Sequence, residues 1–442
     1  MMHLRVLILA SFSIYFDAAV LPERRTDEMI LQNGYRVEIH RVETPDGYLL
    51  TLFRIPGEPG STPVYYQHGL LDSSDSFVAM GKNKSLGFLL HDEGFDGWAG
   101  NFRGNDYSYI NKNYDIDSPK YWDFSWDTLG EKDVRIMIDY ILEQTGSPQL
   151  IYIGHSMGTT SFNVAASRFP DVNEKVKAYI ALAPVTTFKY SRSPIFTTPF
   201  LGQLFQALQQ YPDGSTNGLN KTHSNSLPFN LPTALELLNK FVSTSLNIGT
   251  TANEIFPDFT TVGNFAELFL NALSHGEIKG VISRRYCTSN YVALRLCLGQ
   301  LSAIVGNDEK NLTPELEQLI FLITPKSSSL KMVKHYLQQR DAGHLFLYDY
   351  GSEQNNMQVY NSPTPPEADL ANITCPTFFV YGQNDLLTAE GDVRAAYSRL
   401  GNGRELIAVP RATWNHDDFL VTQGIETILH RGIILPIVNQ FK

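Results

Sequence analysis

The chain has 442 residues, 43% of them hydrophobic and 18% charged, with a formal net charge of -11. That is the composition of an ordinary globular protein with a large core. The acidic balance excludes the Lys/Arg excess that binding to phosphate backbones requires, so nucleic acid is not an expected partner.

Arg5 precedes an apolar run over 6–16, and small residues follow at Ala18 and Ala19. A basic start, an apolar stretch and small residues predict a secretory signal peptide over 1–19. The run is too short for a membrane span, and a later apolar stretch, 433–438, is short and interrupted by Pro436. A soluble protein in the secretory pathway, extracellular or lysosomal, is expected. Four N-x-[ST] triplets, at Asn83, Asn220, Asn311 and Asn372, fit that route as glycosylation acceptors. Of the three cysteines, Cys287 and Cys297 are near enough in sequence to pair in an oxidising compartment, and Cys375 reads as a core thiol. No Cys/His cluster has zinc-ligand spacing, and no G-x-G-x-x-G or P-loop follows a strand, so no metal or cofactor is expected.

Two strand-like runs, 36–42 and 48–55, flank the turn signal Pro45-Asp46-Gly47 and predict a hairpin. Short apolar strands follow at 64–67 and 95–99. Residues 129–144 carry apolar side chains at helical spacing (Val134, Ile138, Ile141, Leu142). Then come a strand at 150–153, a helix at 157–168 and a strand at 176–182. Strands alternating with helices predict a parallel sheet covered on both faces. From 185 to 345 the rhythm stops. Amphipathic stretches at 200–208, 234–241 and 292–301, with a polar loop over 213–225, predict a mainly helical insertion. The rhythm resumes with a strand at 377–381, a helix at 389–400, a strand at 405–409 and a helix at 418–430. The expected division is 1–19 signal peptide, 20–184 and 346–442 the two parts of an α/β core, and 185–345 the insertion.

The central motif is Gly154-His155-Ser156-Met157-Gly158, placed between a predicted strand and a predicted helix. That is the setting of a nucleophile elbow, in which a tight turn lifts a serine hydroxyl above the sheet. The amide of Met157 then lies at a helix N-terminus, where it can hold an oxyanion. A serine needs a base, and in this fold the order is Ser, Asp or Glu, His. Downstream of Ser156 stand His223, His275, His335, His344, His416 and His430. The first four fall in or at the end of the insertion, and His430 is expected at the surface of the last helix. His416 sits in a polar loop after the last strand and is the best-placed base. Asp385, in the loop after 377–381, is the expected orienting acid, with Asp392 and Asp417 as rivals. The loop after the third strand, His68-Gly69-Leu70-Leu71, is expected to give the second oxyanion donor, the amide of Leu70, with His68 supporting the loop.

The chain resembles the acid lipase family that includes gastric and lysosomal acid lipases. The matching segments include Asp46-Gly47-Tyr48-Leu49-Leu50, His68-Gly69-Leu70-Leu71, Trp98-Ala99-Gly100-Asn101-Phe102-Arg103-Gly104-Asn105, Phe124-Ser125-Trp126-Asp127, Gly154-His155-Ser156-Met157-Gly158-Thr159-Thr160, Asn384-Asp385-Leu386-Leu387 and Asn415-His416 with Asp418-Phe419. The resemblance implies an α/β-hydrolase fold with a mostly parallel sheet. It implies the triad Ser156, Asp385 and His416, oxyanion donors Leu70 and Met157, and an insertion that forms a cap and lid. Met157 stands where this family commonly has Gln; the backbone amide is indifferent to that change. Cys287 and Cys297 resemble the family's cap disulfide.

The expected activity is hydrolysis of carboxylic esters of neutral lipids, acylglycerols or sterol esters, at a lipid–water interface. Phe196, Phe200, Leu201, Leu204 and Phe205 are expected to pack the cap or line its apolar trough. The alternatives are a short-chain carboxylesterase of the same fold and a non-catalytic lipid-binding protein on this scaffold.

Overall fold

The computed structural model describes residues 25–197, 276–278 and 280–442. The signal peptide, Asn220, the stretches 200–208, 213–225 and 234–241, and Phe200, Leu201, Leu204, Phe205, His223 and His275 lie outside the described residues.

Strands β1 (Glu38–Glu43) and β2 (Tyr48–Ile55) form the expected hairpin, with Gly47 at φ +91° in its turn. Then come β3 (Pro63–Gln67), β4 (Asp96–Gly100), β5 (Ile110–Asn111), β6 (Leu150–His155) and β7 (Val176–Leu182). The short strands β8 (Glu277–Ile278) and β9 (Ser328–Ser329) pair apart from the main sheet. β10 (Thr377–Tyr381) and β11 (Gly403–Ala408) complete the set. The main sheet has the order β1-β2-β4-β3-β6-β7-β10-β11, with β5 on β2. From β4 to β11 every neighbouring pair is parallel; β1, β2 and β5 are antiparallel additions.

The central strands are buried on both faces, which is why they read as apolar runs and not as alternating ones. Tyr65, Tyr152, Tyr179 and Phe379 pack one face with Met137, Phe162, Met332 and Tyr336. Val64, Tyr66, Ile151, Ile153, Ile180, Phe378 and Val380 pack the other with Leu86, Leu90, Leu429 and Ile434. Among the described residues, the short helices Thr26–Gln32, Leu86–Asp92, Pro170–Lys175 and Glu353–Tyr360 lacked a clear periodic signal. The helix expected from 129 starts earlier, at Trp126, where Ser125 makes a capping box; it widens to π-helical turns over Leu129–Val134 and stops at Gly146, φ +67°.

The last helix differs most from expectation. Only a 3-10 turn, Asp417–Phe419, forms near 418, because Asn415 Oδ1 accepts the N–H groups of Asp417 and Asp418 and ties them to the loop. The helical run is Glu426–Ile434 continued by Leu435–Val438, with Pro436 just past the junction, where it has no N–H to give to the preceding turn. His430 is buried in this run, where a surface position was expected. Its Nδ1 lies 2.8 Å from the carbonyl of Lys84, and burial holds the ring's pKa down to about 4, so it is a neutral core histidine.

Between 185 and 345 the described residues include the helices Gly280–Cys287, Tyr291–Val305, Pro314–Ile323 and Leu330–Gln338. Phe196 is buried and stacked on Phe188, 3.9 Å between centroids, so it packs and does not present itself to solvent. Cys287 and Cys297 are joined with 5.8 Å between their Cα atoms, and Cys375 is a buried free thiol. Blocking free thiols without reduction is expected to modify neither Cys287 nor Cys297 in peptide mass spectrometry; modification of both would refute the bond. Asn83 and Asn372 are exposed, whereas the Asn311 amide donates to Asp308 at 2.6 Å. No helix among the described residues is long and apolar enough to cross a membrane.

Candidate active site

The loops after β3, β6, β10 and β11 all leave the carboxyl edge of the parallel strands, where open α/β sheets place their sites. After β6 the chain turns at Ser156 with φ +51° and ψ -117°, then enters the helix Met157–Arg168. The strained turn is permitted by its glycines. A Cβ on Gly158 would lie 2.5 Å from the Gln67 carbonyl oxygen, and one on Gly154 would lie 3.0 Å from the Gly158 backbone. The Ser156 N–H donates to the Leu182 carbonyl at 3.0 Å, and the Thr159 hydroxyl donates to the Ser156 carbonyl at 2.6 Å. These bonds pin the elbow between β6 and β7.

His416 reaches over the elbow from the loop after β11. Its Nε2 is 2.8 Å from Ser156 Oγ, and its Nδ1 is 2.7 Å from Asp385 Oδ2. All three residues are buried. Asp385 also accepts the N–H groups of Leu387 and Thr388, at 2.9 and 2.8 Å, and the Thr388 hydroxyl. Burial pushes the Asp385 pKa up, but His416 and these donors outweigh it and hold the carboxyl below its ordinary range. For His416, burial works to lower the pKa and Asp385 more than reverses it, so the ring is a stronger base than a free histidine. The arrangement can pass the serine proton to Nε2 while Asp385 holds Nδ1–H.

The rivals for the acid role serve elsewhere. Asp392 accepts the Thr187 hydroxyl and the Tyr190 N–H, each at 2.9 Å, and so ties the chain after β7 to the helix Glu390–Tyr397. Asp417 is half-buried beside the site, its pKa raised to about 6 by burial, and makes no hydrogen bond to the His416 ring among the described residues. His335 is a core residue, stacked on Trp126 at 3.6 Å and bonded to Ser125 Oγ and the Phe346 carbonyl. His344 is exposed and pairs with Glu367 and Arg399.

The segment bearing Leu70 lies against the serine. A Cβ on Gly69 would be 3.0 Å from Ser156 Cβ, so only glycine allows this approach. His68 sets its orientation. The ring is buried with its pKa lowered to about 4, hence neutral. Its Nε2 accepts the Phe102 N–H at 3.1 Å, so Nδ1 carries the proton and donates to the Gly69 carbonyl at 2.8 Å. That carbonyl belongs to the peptide whose N–H is Leu70's. In a trans peptide the two point oppositely, so fixing one aims the other. Leu71 holds φ +59°, and its carbonyl accepts the Lys326 N–H at 2.7 Å. Arg103, next after Phe102, is buried between Asp133 and Asp46, with bonds of 2.9 and 2.7 Å, and steadies the loop after β4. Lys326 was not anticipated, because no local pattern in the insertion marks a backbone contact to residue 71.

A buried serine–histidine–carboxylate relay above the carboxyl edge of a parallel sheet defines an α/β-hydrolase. The profile described as "alpha/beta hydrolase fold" matches residues 62–419, and one described as "Partial alpha/beta-hydrolase lipase region" matches residues 26–81. Lipase 1 of Drosophila melanogaster is 35% identical over 92% of this chain and 78% of its own length. Gastric triacylglycerol lipase of Bos taurus is 32% identical over 89% of this chain and 86% of its own. Lipase member K of Mus musculus is 29% identical over 94% and 91%. The chain belongs to the acid lipase family of α/β-hydrolases.

Proposed function

We propose that the protein is a serine lipase of the secretory pathway that hydrolyses carboxylic esters of neutral lipids through an acyl-enzyme. The observation that carries this reading is the continuous relay from Ser156 through His416 to Asp385, in a chain whose relatives are named lipases. In this reading Ser156 Oγ attacks the ester carbonyl while His416 Nε2 takes its proton. The amides of Leu70 and Met157 hold the oxyanion. His416 returns the proton to the leaving alcohol, and the same steps with water release the fatty acid. Residues 185–345 act as a cap over the acyl-binding trough, and 20–184 with 346–442 form the catalytic core. The Cys287–Cys297 bond fits an oxidising compartment, extracellular or lysosomal. Asn83 and Asn372, both exposed, are the better-placed glycan acceptors. The test is a panel of purified-enzyme assays on short-chain esters, long-chain triacylglycerol and cholesteryl ester. Long-chain turnover is expected. Turnover confined to short chains would make the protein a carboxylesterase, and lipid binding without turnover would make it a binding protein.

A further inference from the structure

The triad's acid and base stand on separate loops, after β10 and β11, and one short turn of the insertion touches both. The helix Tyr291–Val305 ends at Gly306, φ +113°. The Val305 carbonyl accepts the Leu386 N–H at 3.2 Å and the His416 N–H at 3.4 Å. The Asn415 amide donates to the Gly306 carbonyl, and the Asn384 amide to the Asn307 carbonyl, each at 2.8 Å. Asn384 and Asn415 are the residues immediately before Asp385 and His416. The approach is close enough that a Cβ on Gly306 would lie 2.1 Å from the Asn384 carbonyl oxygen and 3.0 Å from Asn415 Cβ.

Asp308, two residues after Gly306, is buried. Its Oδ1 accepts the Asn311 amide at 2.6 Å, while its Oδ2 receives no N–H or hydroxyl hydrogen bond among the described residues. The buried carboxyl of Asp418 faces it, and Asp418 Oδ2 accepts the Asn415 N–H at 2.7 Å. Two carboxyls in contact share a proton, because two adjacent charges repel in a buried site. The groups that face the pair are Arg411, 3.9 Å from Asp308 Oδ2, the Thr422 hydroxyl and the Asn311 amide, with Asp417 lining the same recess. Arg411 balances one negative charge and leaves a second without a partner.

We propose that the Val305–Asp308 turn is a positioning element for the reaction, which sets the Asp385 loop against the His416 loop and is latched by the Asp308–Asp418 carboxyl pair. The proposal rests on the serine-hydrolase reading above. Burial first, and Asp308 second, push the Asp418 pKa from its ordinary 3.8 up to about 8. The folded chain therefore holds this proton more tightly than an unfolded one. The latch's stabilisation is complete below about 3.8, declines as pH rises, and is gone above about 8, where the Asp418 carboxyl has lost its proton.

The experiment measures kcat and KM against pH for wild type, Gly306→Ala, Asp308→Asn and, as control, Ser156→Ala. Gly306→Ala must push the two loops apart and is expected to lower kcat about 10²-fold with little change in KM, the scale of a misplaced catalytic group. Asp308→Asn keeps the acceptor for Asn311 and offers Asp418 a neutral donor that does not titrate. Wild type is expected to lose kcat as pH passes about 8. Asp308→Asn is expected to hold its kcat there, with its alkaline limb at higher pH. If Gly306→Ala does not fold, the Asp308→Asn profile decides alone. A Gly306→Ala enzyme with wild-type kcat, or an Asp308→Asn profile superimposed on wild type, would overturn the positioning role. Wild type without ester turnover above the Ser156→Ala control would overturn the hydrolase reading, and this role with it.

Discussion

Ser156→Ala is expected to remove essentially all ester hydrolysis, a fall in kcat of about 10⁶-fold, while the protein keeps its fold and its affinity for lipid. The magnitude is that for losing the nucleophile of a relay whose members act as one unit. The fold should survive because Ser156 Oγ contributes one hydrogen bond, to His416, and its backbone bonds to Leu182 and Thr159 do not depend on the side chain. Alanine does have to take φ +51°, but a non-glycine residue already holds that strained angle there. Steady-state hydrolysis with a thermal melt as the folding control checks both halves.

Asp385→Asn is expected to lower kcat about 10⁴-fold with little effect on KM. The asparagine fills the same space and its oxygen can still accept from Leu387 and Thr388. What it loses is the charge. An amide oriented by those donors presents N–H towards His416 Nδ1, which favours the wrong tautomer and leaves Nε2 protonated and unable to accept from Ser156. The pH dependence has a definite sign. A base works only when neutral, so activity is lost as pH falls through the His416 pKa. Asp385 raises that pKa against the opposing effect of burial. Without the charge, burial prevails, and the residual activity is expected to persist to lower pH than in wild type. Residual activity with an unmoved acid limb would mean that Asp385 does not set the charge state of His416.

The parts of this fold that were legible in the sequence are those decided by local pattern. Strands β3, β6, β7 and β10 are short apolar runs because both of their faces are covered, and such runs between turn residues can be read without a structure. Ser156 was legible because the elbow demands glycine on both sides, and Gly154 and Gly158 meet that demand through close backbone approaches. His416 and Asp385 followed from chain order, since each lies in the loop after a late strand.

The remainder depended on packing between distant segments. The short helices Thr26–Gln32 and Leu86–Asp92 owe their stability to burial of Met29, Ile30, Phe88 and Leu89, not to a periodic signal of useful length. His430 looked like a solvated residue because the last helix was expected to end there, whereas the helical run continues to Val438 and the ring packs against the Lys84 carbonyl. The support of His68 for Gly69 was anticipated only as a loop role; its tautomer became readable once the Phe102 N–H was seen to fill Nε2. The contacts of Val305, Gly306 and Asn307 with the triad loops bridge more than seventy residues of chain, and no motif around 305–308 announces them.

The central claim is that Ser156 is the nucleophile of a three-residue relay. Its most direct test is covalent labelling with a p-nitrophenyl alkylphosphonate followed by peptide mass spectrometry. Attack forms a phosphorus–oxygen bond to the serine and expels p-nitrophenolate. One adduct per chain on the peptide containing Ser156, appearing in step with loss of ester hydrolysis and absent from His416→Ala, is the expected result. An adduct on another residue, or hydrolysis that continues after Ser156 is fully modified, would contradict it.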